Sequence, residues 1–103
     1  MYYTYILKSH KVQGAIYKGY THDLKSRVKQ HNNKTGKYSS KYLPWEIETY
    51  LAFSTEQQAK DFERYLKSSS GKSFMSKRLI SSQFRVALKK FNNGRGQKIS
   101  ETK

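Results

Sequence analysis

The sequence predicts an α+β domain in which a small three-stranded antiparallel sheet is flanked by helices. Runs rich in Tyr, Thr and Ile at 2–8, 15–20 and 46–53 are typical of strands. A short connection that contains Gly14 separates the first two runs and suits a hairpin. The remaining segments show helical spacing, and a small hairpin-containing sheet combined with several helices indicates the α+β class.

The first helix is predicted directly after the second strand. Thr21 is the expected N-cap, and Asp23 would place a negative charge in the first turn, where the helix dipole favours it. Leu24 and Val28 lie one turn apart and should face the core. His31 is expected on the same side, near the end of the helix.

A polar, basic loop at 33–44 follows this helix and closes at Pro44. In the third strand, successive side chains should alternate between the two faces of the sheet. We expect one face to carry Ile47, Thr49, Leu51 and Phe53, and the other to carry Glu46, Glu48, Tyr50 and Ala52.

A capping box made by Thr55 and Gln58 predicts the start of the second helix, which should run to about Lys67. The run of Ser and Gly at 68–71 is expected to break it. The apolar stripe of this helix is Ala59, Phe62 and Leu66, and further helices are expected at 73–80 and 82–91.

Composition predicts one domain, 1–91, followed by a basic tail, 92–103, that we expect to be disordered. The chain has 21 Lys and Arg against 7 Asp and Glu, a net charge of +14. Such an excess repels itself, and its usual use is binding a polyanion. Because no amphipathic basic helix with a broad apolar face is visible, nucleic acid is favoured over a membrane surface.

Two function classes are excluded by what the sequence lacks. Without cysteine there can be no disulfide and no thiolate zinc site. No apolar run approaches the length of a membrane span, and the N-terminus has no signal-peptide pattern. We therefore expect a cytoplasmic protein.

Glu63 is the candidate metal ligand. It lies four residues after Ala59 and three before Leu66, which puts it about 70° from the centre of the apolar stripe. A carboxylate at this border needs a cation or hydrogen-bond donors, and Mg²⁺ (or Mn²⁺) often uses one or two protein carboxylates. The alternative is an ordinary ion pair with Lys60 or Lys67 on the same helix.

Arg27 and His31 lie four residues apart on the first helix. The planar fork of arginine matches phosphate, although Arg27 could equally be a snorkelling side chain. His31 could transfer a proton near neutral pH or bind phosphate, or it could be a structural histidine. Tyr5 and Tyr17 are candidates for activating water, but cross-strand aromatic packing is the commoner role of tyrosine in a hairpin.

Aromatic and cationic residues interleave in the loop before the third strand, a pattern that suits stacking on bases and contact with the phosphate backbone. The segment 70–73 faintly resembles the end of a phosphate-binding loop, but the upstream glycine and strand are missing, so we expect no nucleotide cofactor. The candidate nucleic-acid contacts are Lys18, Lys34, Lys37, Tyr38, Lys41 and Lys72.

Taken in order, these residues resemble the GIY-YIG nuclease superfamily, in particular small stand-alone members similar to the N-terminal domain of the nucleotide-excision-repair excinuclease. The resemblance covers about residues 2–80. Its segments are YYTYILKS at 2–9, IYKGYTHDLKSRVKQHN at 16–32, KYLPWEIETYLAFST at 41–55 and AKDFERYLKSSSGKSF at 59–74.

The resemblance implies a three-stranded fold and cleavage of DNA with one divalent metal ion. It implies that Tyr5 and Tyr17 are the motif tyrosines, that Arg27 contacts phosphate and that Glu63 binds the metal. His31 falls where the family carries His or Tyr. The sequence departs from the two motifs at Tyr3, Thr4 and Lys18, and Lys18 should point away from the face that carries Tyr17.

The first functional hypothesis is a metal-dependent endonuclease that hydrolyses phosphodiester bonds in DNA, with repair or recombination as candidate settings. The alternative is a non-catalytic nucleic-acid-binding module that retains the nuclease fold. A third idea, an RNA-processing or ribosome-associated factor, rests on charge alone. DNA versus RNA, substrate structure and oligomeric state stay open at this point.

Overall fold

A computed structural model of the chain describes residues 1–33 and 40–95, with side chains for 1–33, 41–81 and 84–90. A 3₁₀ turn at Ser40–Tyr42 precedes the third strand, and a π-helical turn at Met75–Leu79 follows the third helix. The main elements are β1 (Tyr2–Ser9), β2 (Ile16–Thr21), α1 (Leu24–Asn32), β3 (Trp45–Phe53), α2 (Glu56–Leu66), α3 (Ser69–Phe74) and α4 (Ser82–Arg95).

The three strands form one antiparallel sheet in the order β2-β1-β3, which confirms the predicted α+β class and the hairpin. β1 is the central strand and pairs with both neighbours. Its Tyr5 lies opposite Gly19 on one side and Tyr50 on the other, and Leu7 lies opposite Tyr17. This register brings Tyr5 of β1 and Tyr17 of β2 onto one face of the sheet.

Each face of the sheet is covered by a hydrophobic cluster. On the face that carries Tyr5 and Tyr17, the cluster includes Trp45 and is covered by Leu24 and Val28 of α1, as the helical spacing predicted. The opposite face is covered by residues of α2, the π-helical turn and α4. Its buried members are Ile6, Ile16, Leu66, Met75, Ile80, Phe84 and Leu88.

The predicted alternation of β3 holds only in its second half. A bulge falls between the pairs Ile6–Thr49 and Leu7–Ile47, so Glu48 is the extra residue on β3. As a result, Ile47 is 38% exposed, whereas the side chain of Glu48 is 8% exposed and pairs with Lys8 at 3.1 Å. The assignment of Ile47 to the same face as Thr49 is therefore wrong.

The N-cap of α1 is Asp23, not Thr21. The Asp23 carboxylate accepts a hydrogen bond from the Ser26 amide at 3.1 Å, and Thr21 instead ends β2. The Thr21 hydroxyl accepts a bond from the Asp23 amide at 3.1 Å and so shapes the turn that precedes the cap. The prediction of Thr21 as the N-cap is therefore wrong, and Asp23 lies at the cap rather than in the first turn.

The capping box of Thr55 and Gln58 is confirmed, and α2 ends at Leu66. The run of Ser and Gly at 68–71 was predicted to break the helix, but the break is shorter than that. Ser68 caps the next helix, which already begins at Ser69. The Ser68 hydroxyl accepts from the Gly71 amide and donates to the Tyr65 carbonyl. The junction between α2 and α3 is therefore only two residues long.

α4 continues to Arg95, four residues beyond its predicted end. The remainder of the predicted tail, 96–103, lies outside the described residues, as does the part of the predicted loop at 34–39. Within the described chain, the helices are too short or too polar to cross a bilayer.

Gly71 is the position where this packing tolerates no side chain. A Cβ atom there would overlap the Tyr65 carbonyl oxygen, a contact that requires α3 to move away from α2. We expect Gly71→Ala to lower the free energy of unfolding by about 2–4 kcal/mol in urea denaturation. Ser70→Ala, at an exposed site on the same helix, is the control and should stay within about 0.5 kcal/mol of the unsubstituted chain. Equal stability of the two variants would contradict this packing.

Candidate active site

A cleft of about 580 Å³ lies beside the edge strand β2 and is lined by residues of β1, β2, α1 and α2. Four of the five predicted catalytic residues line it: Tyr5, Tyr17, Arg27 and Glu63. They come from four different elements and are separated by up to 58 residues along the chain. The fold therefore gathers the predicted set at one place.

The two tyrosines stack on each other above the hairpin. Their rings are nearly parallel, at 6°, with centroids 6.5 Å apart. The Tyr5 ring crosses β2 at Gly19, where a Cβ atom would lie only 2.5 Å from the Tyr5 hydroxyl oxygen. The close approach of Tyr5 thus requires glycine at position 19, because the absence of a side chain there leaves room for the Tyr5 hydroxyl.

His31 lies behind the tyrosines rather than in the cleft. It is 2% exposed, and its Nε2 is 3.2 Å from the Tyr5 hydroxyl oxygen. Its ring meets the Tyr17 ring edge-on, with centroids 4.3 Å apart. Because His31 does not line the cleft, direct contact with a bound phosphate is not available to it in this conformation. His31 can therefore act on a group bound in the cleft only through its contacts with Tyr5 and Tyr17.

Tyr5 is held in its neutral form. Burial raises the pKa of the Tyr5 phenol well above its ordinary value, and the neighbouring Tyr17 adds to the rise. The Arg27 guanidinium opposes it through its charge and a hydrogen bond, and the negative charge of Glu63 acts in the upward direction. These influences show that Arg27 and Glu63 both act electrostatically on the same hydroxyl group.

Glu63 lies at the border of the buried side of α2, as predicted, with its side chain 10% exposed. The ion pair considered from the sequence also exists, because Lys67 Nζ lies 2.5 Å from Glu63 Oε2. The two observations are compatible: the carboxylate faces the cleft and is balanced by an ammonium group one helical turn away. Lys67 lines the cleft as well.

The donor set suits a hard divalent cation that binds through few protein ligands. Among the described residues, no cluster of three or more His, Cys, Asp or Glu side chains is arranged to hold a metal. One nearly buried carboxylate at a cleft fits Mg²⁺ or Mn²⁺, which retain waters and share ligands with substrate phosphates. Glu63 is the residue that would hold the ion.

Lys18 is not available to nucleic acid, contrary to the prediction. It is 1% exposed, and its Nζ donates a hydrogen bond of 3.1 Å to the Leu66 carbonyl at the end of α2. A cation at this position satisfies a terminal carbonyl and complements the helix dipole. Lys18 does point away from Tyr17, as alternation required, but the face that it enters is covered by α2.

The other predicted nucleic-acid contacts lie away from the cleft lining or outside the described residues. Lys41 is exposed, and its Nζ lies 5.3 Å from the centre of the Tyr42 ring. Lys72 is half-buried on α3. Lys34, Lys37 and Tyr38 fall outside the described residues, so their role stays a prediction.

Sequence reasoning missed most of one wall of the cleft. Glu56, Lys60 and Lys67 line it together with Glu63. Their spacing of four, three and four residues places them on one face of α2, a periodicity that could have been read from the sequence. Tyr20 and His22 also line the cleft, because β2 and the turn after it lie beside α2.

We expect the neutral form of Tyr5 to be visible in alkaline titration. Because burial raises its pKa in the folded protein, Tyr5 should not ionise between about pH 9 and 11, where ordinary tyrosines do. Tyr5→Phe should therefore leave the phenolate absorbance change over this range unaltered. A variant change smaller by one ionising tyrosine would contradict the burial.

The same shift has a consequence for stability. An acid whose pKa is raised by folding supports the folded state below its unfolded pKa and loses that support as pH rises above about 10. Unsubstituted protein should therefore lose more stability than Tyr5→Phe between about pH 8 and 11, measured by denaturant unfolding at both pH values. A parallel decline in both proteins would contradict this expectation.

Comparison with known proteins agrees with this geometry. The sequence profile of the GIY-YIG catalytic domain matches residues 1–78. A UPF0213 protein of Bacillus licheniformis is 36% identical over 72 residues, 69% of this chain and 72% of that protein. The UPF0213 protein YazA of Bacillus subtilis is 44% identical over 52 residues, 50% of this chain and 52% of its own length. A UPF0213 protein of Clostridium perfringens is 35% identical over 68 residues, 65% of this chain and 71% of that protein.

The matched profile contains every element that lines the cleft, from β1 through α2. The profile describes a catalytic domain of an endonuclease superfamily whose members generally use divalent metals and act on nucleic acid. The chain therefore belongs to the GIY-YIG family.

Proposed function

We propose that this protein is a metal-dependent endonuclease that hydrolyses phosphodiester bonds, with DNA as its substrate. The observation that supports this most directly is the convergence of Tyr17, Arg27 and Glu63 on one cleft in a strongly basic chain. A phosphate group in the cleft would meet a hydroxyl, a guanidinium and a carboxylate able to hold a cation. Repair or recombination in the cytoplasm is the proposed setting.

Phosphodiester hydrolysis needs an oriented water, charge stabilisation on the phosphoryl oxygens and assistance to the leaving oxygen. Arg27 lines the cleft, and its fork would donate two parallel hydrogen bonds to the phosphoryl oxygens. Glu63 would hold Mg²⁺ or Mn²⁺, and when bound, the ion supplies positive charge beside the scissile phosphate. The attacking water forms the new P–O bond as the bond to the leaving oxygen breaks.

Tyr17 is the better candidate for the group that orients the water and takes its proton. Both rings are buried, but Tyr17 lies on the edge strand, is 7% exposed against 1% for Tyr5, and packs edge to face with the His31 ring. Positive charge from Arg27 and a bound cation would favour the phenolate of a tyrosine in this cleft. Tyr5 would position Tyr17 by stacking.

His31 is proposed as a proton relay and a support for the tyrosines, rather than as a phosphate ligand. Its Nε2 contacts the Tyr5 hydroxyl, so a proton can pass between the two groups. Its burial removes it from the substrate itself.

One observation favours a second candidate, a nucleic-acid-binding module without cleavage. Lys67 already neutralises Glu63, so the cleft is cationic without a metal and could hold a phosphate as it stands. In that case Glu63 would act only as the partner of Lys67, and removing it would raise affinity for nucleic acid.

The two candidates differ in what Glu63→Gln does to cleavage, whereas both allow binding to be kept or improved. If the protein is a nuclease, we expect cleavage of supercoiled plasmid in Mg²⁺ or Mn²⁺ to fall at least about 100-fold, because one group that stabilises developing charge is lost. Binding to the same DNA in EDTA should be kept or improved. Plasmid nicking followed on agarose gels, beside a binding assay, measures both.

Glu56→Gln is the matched control, since Glu56 lies on the same helix, lines the same cleft and carries the same charge. Its nicking rate should stay within about threefold of the unsubstituted protein, and Arg27→Ala should lose activity as Glu63→Gln does. Absence of nicking by the unsubstituted protein, with binding retained, would favour the binding module. Nicking that does not need a metal ion would instead contradict the role proposed for Glu63.

Lys18 provides a test of which cations meet the nucleic acid. Because its ammonium is buried against the Leu66 carbonyl, Lys18→Met should change DNA affinity by less than about twofold and leave the salt dependence of binding unaltered. Lys60→Gln, which removes a cation from the cleft lining, should weaken binding and reduce the salt slope. A larger effect at Lys18 than at Lys60, in a folded variant, would contradict the assignment.

A further inference from the structure

The ammonium group of Lys67 already pairs with the carboxylate of Glu63, the residue that the proposed function makes the metal ligand. Lys67 Nζ lies 2.5 Å from Glu63 Oε2, and the Lys67 side chain is 24% exposed. The order Glu then Lys, four residues apart, is the favourable orientation for such a pair on a helix. An ammonium group therefore stands where a divalent cation would approach this oxygen.

The helix end holds this ammonium in place. Lys67 is the C-cap residue of α2, where the helix dipole attracts positive charge. The Leu66 carbonyl beside it accepts from Lys18 Nζ at 3.1 Å. The position of Lys67 is thus favoured by the Glu63 carboxylate and by the helix terminus together.

The charges around Glu63 oppose the entry of a second cation. Among the described residues, the cleft lining carries the permanent cations Arg27, Lys60, Arg64 and Lys67 against the two carboxylates Glu56 and Glu63. A divalent ion bound at Glu63 with Lys67 still in place would lie close to that ammonium, and like charges at such separations repel strongly in a cleft of lowered dielectric. Metal binding must therefore displace the ammonium from the carboxylate.

We propose that Lys67 is a built-in competitor for the metal, a positioning residue that occupies Glu63 until a divalent cation displaces it. This inference rests on the proposed role of Glu63 as the metal ligand. Its consequence is that Lys67 sets the metal concentration at which the site loads, without itself touching the ion. Nothing in this role depends on catalysis, so it can be measured by binding alone.

The test measures Mn²⁺ binding to the full chain by the electron paramagnetic resonance signal of free Mn²⁺, without nucleic acid. Lys67→Gln should bind Mn²⁺ about fivefold or more tightly than the unsubstituted protein, because the competing charge is gone. Lys67→Arg, which keeps the charge, should retain affinity within about twofold. Circular dichroism melting establishes that each variant is folded.

Two controls separate competition from general charge. Lys60→Gln removes the same charge from the same cleft wall but leaves the pair of Lys67 with Glu63, so it should tighten Mn²⁺ binding by less than about twofold. Glu63→Gln should abolish the site in any background. Equal effects of Lys67→Gln and Lys60→Gln, or an equal gain in Lys67→Arg, would overturn the proposed competition while leaving Glu63 as the metal ligand. Absence of any Glu63-dependent Mn²⁺ binding, in every variant, would overturn both this inference and the metal dependence of the proposed function.

Discussion

The site depends on the passage of the Tyr5 ring across the neighbouring strand at Gly19. A single added carbon at Gly19 would lie 2.5 Å from the Tyr5 hydroxyl oxygen, so this crossing exists only because β2 has no side chain there. The crossing sets the stack of Tyr5 on Tyr17 and brings the Tyr5 hydroxyl to His31. The close approach of Tyr5 to Gly19, its partner on the neighbouring strand, therefore determines how Tyr5 meets Tyr17 of β2 and His31 of α1.

The two helices that complete the cleft, α1 and α2, are each held by different contacts. α1 begins at the Asp23 cap and packs Leu24 and Val28 against the tyrosine face. α2 begins at its capping box and ends where the buried ammonium of Lys18 meets its last carbonyl. The lysine that replaces an apolar residue in the second family motif therefore ties the strand of Tyr17 to the helix of Glu63.

Electrostatics at the cleft follow from where each charge is held. Burial keeps Tyr5 neutral, and Tyr17, on the edge strand, is the better proposed proton acceptor; burial also removes His31 from direct contact with phosphate. Glu63 is retained at the cleft because Lys67 offsets its charge, and the same pairing is what a metal would have to break. The proposed catalytic groups are therefore also limited by their surroundings: Tyr5 and His31 are buried, and Glu63 is paired with Lys67.

The sequence by itself determined the α+β class, the hairpin, the capping box of α2 and the border position of Glu63. These are local properties, since strand propensity, capping and helical periodicity act within a few residues. It also identified the tyrosines and the family to which they belong, because their order and spacing are properties of the chain itself.

Only the tertiary structure decided the burial of Lys18, the position of His31 behind the tyrosines and the bulge at Glu48. Each depends on which element packs against which: the end of α2 covers Lys18, and the pairing of β1 with β3 places the extra residue. Alternation gave the face that Lys18 takes but not what covers that face. That is settled by contacts between residues far apart in the chain, which no local pattern contains.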